Sequence, residues 1–115
     1  MRWLLLINFK KMSTLFTKIL NKEIPSELIF ENENLFVIKD VNPEDTTHLL
    51  IIPKEEIDSV NNLEQKHKEL MWEMFFVAKK VASDLWISDW YKLVVNTWDY
   101  QEIPHIHMHL ISKRG

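Results

Sequence analysis

Three histidines alternate with apolar residues in the run Pro104-His105-Ile106-His107-Met108-His109-Leu110-Ile111. In an extended strand, residues i, i+2 and i+4 share a face. The spacing therefore predicts three imidazoles along one side, with Ile106, Met108 and Leu110 anchored in a core on the other. Imidazole moves a proton near neutral pH and can act as a nucleophile or a metal ligand. A strand face carrying three of them is a chemical device.

A fourth histidine, His48, opens the apolar stretch Thr47-His48-Leu49-Leu50-Ile51-Ile52-Pro53. A working imidazole needs a partner that fixes its tautomer and orientation. His48 can supply one if its strand lies close to the triad. Four histidines could instead hold zinc, which takes four ligands. Against that, adjacent histidines on one strand face rarely converge on one ion. His67, between Lys66 and Lys68, reads as part of a solvated helix face.

The elements that must position these groups follow from periodicity. Ser13 is a suitable cap for a short helix in which Leu15, Phe16, Ile19 and Leu20 keep helical spacing, and Pro25 stops it. Residues 27–31 and 35–40 read as two strands joined by the turn Glu31-Asn32-Glu33-Asn34. Residues 41–45 are a loop, and 47–52 a central strand. Residues 62–85 read as one long helix with Leu70, Met74, Val77, Ala78, Val81 and Leu85 on its buried stripe. Residues 91–96 and 105–112 are the last strands. Hairpins plus one helical crossover predict an α+β domain with an antiparallel sheet.

Composition sets bounds. The chain has 115 residues, a net charge of −3 and no cysteine. That suits one small domain. It leaves no basic footprint for nucleic acid, no disulfide and no thiol nucleophile. No apolar run reaches the length of a membrane span, and a cytoplasmic location is the expectation. Residues 1–11 read as a mis-start or a short appendage ahead of Met12, leaving 12–115 as the domain.

Glycine occurs once and tryptophan five times. A usual share of roughly 7% would give about eight glycines. Trp86 follows the end of the long helix, where a left-handed glycine is usual. Trp90 follows Asp89 where Asp-Gly would be ordinary. A bulky residue at positive φ costs about 1–2 kcal/mol. One reading explains both anomalies. Some bacteria translate UGA as glycine where another code gives tryptophan, and on that reading some of these tryptophans stand where the organism places glycine; a genuine tryptophan-rich variant is the alternative.

The motifs together resemble the histidine triad nucleotide-binding family, and most closely its Hint-like branch. The triad with its following apolar pair matches the family signature. So do Leu15-Phe16-Thr17-Lys18-Ile19 with Glu23-Ile24-Pro25, residues 35–43, and His48-Leu49-Leu50-Ile51-Ile52-Pro53-Lys54. Leu93-Val94-Val95-Asn96 and Gln101-Glu102-Ile103-Pro104 flank the site as in the family. The match runs over about residues 12–114.

The resemblance implies a five-stranded antiparallel sheet, a short N-terminal helix and one long helix. It implies two-fold dimers through the long helix and a strand. It also implies a purine nucleotide hydrolase or transferase acting at the α-phosphorus, of the nucleoside phosphoramidase kind, with no metal or other cofactor. A dinucleoside polyphosphate hydrolase is an alternative within the family, and a nucleotide-binding module with little or no catalysis is another. On that pattern His107 attacks phosphorus and forms a nucleotidyl-imidazole. His109 donates to a phosphate oxygen, while His105 and His48 orient the array. Asp40 takes the ribose hydroxyls of an AMP-like substrate. Phe16, Ile19 and Val41 line the base pocket. Asn96, Gln101, Glu102 and Ile103 surround the phosphate. The loop 96–101 departs from the pattern, being shorter and lacking the family's glycines, with Trp98 in place of one.

Overall fold

The computed structural model describes residues 14–115. The expected Ser13 cap and the segment 1–11 lie outside these residues. Helix α1 (Leu15–Leu20) leads into β1 (Leu28–Glu31), β2 (Leu35–Lys39) and β3 (Thr47–Pro53), then α2 (Lys68–Asp84), β4 (Lys92–Val94) and β5 (Met108–Ser112). The strands form one antiparallel sheet in the order β1-β2-β3-β5-β4.

Both faces of the central strands are covered, which is why β2 and β3 read as unbroken apolar runs. Leu35, Val37, Leu49, Ile51, Met108 and Leu110 pack under α2 against Met74, Val77, Ala78 and Val81. The alternate residues Phe36, Ile38, Leu50 and Ile52 pack on the other face with Phe16 of α1. Burying each such side chain contributes about 1.5–3 kcal/mol. His109 of β5 lies opposite Leu50 and shares this second face.

The long helix is shorter than periodicity suggests. Residues before Lys68 form two 3-10 turns, Val60–Asn62 and Gln65–His67. His67 is the reason, and it is not solvated. It is 5% exposed. Its Nδ1 accepts from the Glu64 amide at 2.9 Å, and Nε2 donates to Glu55 Oε2 at 2.9 Å. A side chain that satisfies backbone ahead of α2 stabilises the tight turn there in place of another helical turn. Leu85, expected in the stripe, is the half-exposed C-cap.

The helix ends in a Schellman motif. The Ile87 amide donates to Ala82 O and the Trp86 amide to Ser83 O, with Trp86 at φ 61°. Trp98 is also left-handed, at φ 56°. Trp90 is not among the positive-φ residues, so the expectation there is corrected. Its amide instead donates to Ile87 O, and Arg114 lies over its ring. Lys22 closes α1 in the same left-handed way, at φ 66°. Among the described residues no helix is long and apolar enough to cross a membrane.

Candidate active site

The triad does not lie wholly in a strand. β5 begins at Met108, and the stretch from His105 to His107 precedes the ladder. It is held by other bonds, since the Ile106 amide donates to Ile57 O at 2.7 Å. The imidazoles still share a side. The His107 and His109 rings are 4.9 Å apart, and Phe16 sits edge-on to both His105 and His107.

β3 and β5 are neighbours, with Leu50 opposite His109. His48 is two residues from Leu50 and so is a diagonal neighbour of His109 on the same face. Its Nε2 lies 2.8 Å from His109 Nδ1 and 3.4 Å from Asp40 Oδ2. Asp40 follows β2, where its amide donates to His48 O and extends the ladder by one bond.

The hydrogen-bond partners assign the protons. The Glu44 amide donates to His48 Nδ1 at 2.9 Å. Nδ1 is therefore the acceptor and Nε2 the protonated nitrogen. His48 Nε2 donates to His109 Nδ1, which leaves the His109 proton on Nε2; the Asn96 Nδ2 nitrogen 3.4 Å away is also a donor, so the two make no hydrogen bond in this tautomer. His107 Nδ1 donates to the His105 carbonyl at 2.8 Å. The Nε2 lone pair of His107 is thereby left available, and it has no hydrogen-bond partner among the described residues.

Burial lowers the His107 pKa below the usual 6.5, opposed by the His105 carbonyl and by the charges of Asp40 and Glu102. Burial, then the neighbouring His107 and His48, push His109 down to about 4. Both rings are neutral at pH 7.

These groups line a cleft of about 620 Å³, a size typical of small-ligand sites. Phe16, Ile19, Asp40, Val41, His48, Asn96, Glu102, Ile103, His107 and His109 all face it. Two expected residues do not. His105 is fully buried behind the cleft. Gln101 turns its amide away to donate to Asp58 O and Ile103 O, bracing the loop. Tyr100, which sequence reasoning passed over, stands at the mouth and is 82% exposed. The Glu44 contact was also missed, because a backbone amide leaves no mark in residue types.

Asp40, His48 and His109 present ligand atoms within 4.8 Å of one another. A cation on His48 Nε2 would have to displace its proton while Nδ1 still accepts from Glu44. That demands an imidazolate or a broken backbone contact, so the hydrogen bonding disfavours a metal there.

The antiparallel sheet with a histidine face beside an acid-edged cleft is a class of fold that comparison with known proteins identifies. Residues 13–115 match the family model described as "Scavenger mRNA decapping enzyme C-term binding". The chain is 38% identical over 104 residues to the purine nucleoside phosphoramidase of Escherichia coli (strain K12), covering 88% of this chain and 87% of that protein. It is likewise 38% identical over 105 residues to the 14 kDa zinc-binding protein of Zea mays, covering 88% and 82%. The crystal structure of a HIT family hydrolase from Legionella pneumophila Philadelphia 1 superposes with a TM-score of 0.85 at 39% identity, covering 90% of this chain and 95% of that one. The chain belongs to the histidine triad family.

Proposed function

We propose that this protein is a purine nucleotide hydrolase or transferase of the nucleoside phosphoramidase kind, working through a covalent nucleotidyl-histidine at His107. One observation carries the reading. The His107 Nδ1 proton is committed to a carbonyl, so a neutral Nε2 lone pair faces a cleft edged by a carboxylate.

In the proposed first step, His107 Nε2 attacks the α-phosphorus and the bond to the leaving amine breaks. The amine takes a proton from water at the open mouth. In the second step water adds to phosphorus and frees His107, and its proton makes good the one the amine took. His109 Nε2–H meets the charge that builds on a non-bridging oxygen. Splitting one displacement into two lowers each barrier. Asp40, whose two oxygens suit a vicinal diol, holds the ribose. Phe16, Ile19 and Val41 receive the base.

The test is hydrolysis of adenosine 5′-phosphoramidate in EDTA by this chain and by His107→Ala. Turnover in EDTA that vanishes in the variant is expected. Activity lost on chelation and regained with zinc would favour the metal reading that the maize relative's name suggests. AMP binding without turnover would favour a binding module, a reading supported by the left-handed Trp98 in the phosphate loop.

The working unit in this proposal is a homodimer. α2 exposes Trp72, Phe75 and Phe76 beside an apolar hollow of about 240 Å³, and β4 leaves one edge of the sheet unpaired. Exposed edges and contiguous aromatic patches invite a partner. Sedimentation of the wild type and of Phe76→Glu tests it, with a dimer expected for the first and a monomer for the second.

A further inference from the structure

Helix α1 has only six residues. A helix that short has little stability of its own. Yet it carries Phe16, whose ring packs edge-on to His105 and His107. Something outside the helix must fix where it stands.

Its N-cap supplies the fixing. Thr14 Oγ1 accepts from the Thr17 amide at 3.2 Å, an ordinary capping bond. The same oxygen lies 2.6 Å from His105 Nδ1. His105 Nε2 meets the Pro53 carbonyl at 2.7 Å, and a carbonyl only accepts. The His105 proton is therefore on Nε2, and the Thr14 hydroxyl donates to Nδ1. The Thr17 hydroxyl donates to Glu56 Oε2 at 2.5 Å, and the Thr14 amide reaches that oxygen at 3.2 Å. Glu56 is followed by Ile57, whose carbonyl holds the Ile106 amide. The bonds thus close a loop from helix cap to triad and back.

From this closed network we infer that Thr14, Thr17 and Glu56 are positioning residues for the nucleophile. None of the three lines the cleft. They hold the His105 ring and its peptide in one place, and the His105 carbonyl in turn fixes the His107 ring through Nδ1. Because the same cap seats Phe16, the base pocket and the nucleophile are set by one device. Sequence reasoning left both Thr14 and Glu56 unread.

The inference rests on the proposed role of His107, so its test has two readouts. One is steady-state hydrolysis of adenosine 5′-phosphoramidate by the wild type, Thr14→Val, Thr14→Ser and Glu56→Gln. The other is the nitrogen NMR spectrum of the imidazoles, which reports tautomers with or without activity. Misplacing a reacting group by an ångström can cost on the order of a hundredfold. A fall in kcat of about tenfold or more is expected for Thr14→Val, with a smaller change in KM and recovery in Thr14→Ser. His107 should pass from a single Nδ1–H tautomer to a mixture. A role in stability alone would lower the melting temperature and leave the tautomer unchanged. Should Thr14→Val fail to fold, Glu56→Gln, which keeps its shape, carries the same readouts. An unchanged His107 tautomer and unchanged kcat in the folded variants would overturn the inference. An inactive wild type whose His107 tautomer still depends on Thr14 would instead overturn the functional reading and leave the positioning intact.

Discussion

His48 Nε2 lies 2.8 Å from His109 Nδ1, with the two rings tilted at 46° across neighbouring strands. The contact makes one histidine the tautomer-setter of another. Its far end is a backbone amide, Glu44 N–H, which cannot be titrated away. The direction in which His109 offers its proton is therefore fixed by the loop ahead of β3.

His48→Phe keeps the ring shape and removes the donor. Partners that orient a working histidine are typically worth about 10–100-fold in activity. A fall of that order in kcat for adenosine 5′-phosphoramidate is expected. A variant with full activity would mean that His109 finds its tautomer unaided.

Acid should act on catalysis and on stability in linked ways. On the proposed mechanism the nucleophile must be neutral, and the His107 pKa is lowered from 6.5 by burial. The acid limb of kcat/KM should therefore have its midpoint below 6.5, and a midpoint at or above that value would deny burial its role. For stability the sign follows from His109, held at about 4 in the fold against 6.5 when exposed. The unfolded chain binds the proton first, so its contribution is complete above pH 6.5 and is lost as pH falls through about 4. Urea midpoints at pH 7, 5.5 and 4 should fall in that order, and His109→Asn should flatten the trend.

Asp40 can be separated from general binding by choice of substrate. Hydrogen bonds to a charged group contribute about 1.5–3 kcal/mol. Asp40→Asn should raise KM for the ribonucleotide by roughly tenfold or more. KM for a 2′,3′-dideoxy analogue should barely move. Equal effects on both would place Asp40 elsewhere in the reaction.

Trp86 is 92% exposed and left-handed. Its side chain has little packing to lose, while its backbone bears about 1–2 kcal/mol of strain. Trp86→Gly should raise stability by about 1 kcal/mol and Tm by a few degrees. The gene offers a separate check, since TGG at codons 86 and 98 would rule out recoded glycine. Trp90 is a weaker case, because its backbone is not left-handed.

Much of the fold was legible, and the failures share a cause. Short apolar runs bounded by turn residues predicted β2 and β3, with β3 central, because a strand buried on both faces reads as an unbroken apolar run. The triad's common face was visible because side chains alternate along a strand. His67 was misread because charge on either side suggested solvent, whereas its ring satisfies backbone ahead of α2. Gln101 was expected to face the cleft, but its side chain braces the loop instead, a role that residue type alone does not reveal. Thr14, Glu44 and Glu56 act through bonds spanning backbone or distant residues, which leave no periodic trace.

The strand order β1-β2-β3-β5-β4 sets the last described strand between two that leave the ribosome earlier. Until β5 inserts, β3 has an open edge and β4 has no neighbour. His48 and His109 are 61 residues apart in sequence, so the cleft cannot be assembled piecemeal as the chain emerges. Such distant pairings form slowly. The nascent protein is thus without its reactive imidazole array through most of its synthesis, and nucleotide could favour the finished sheet by binding only there.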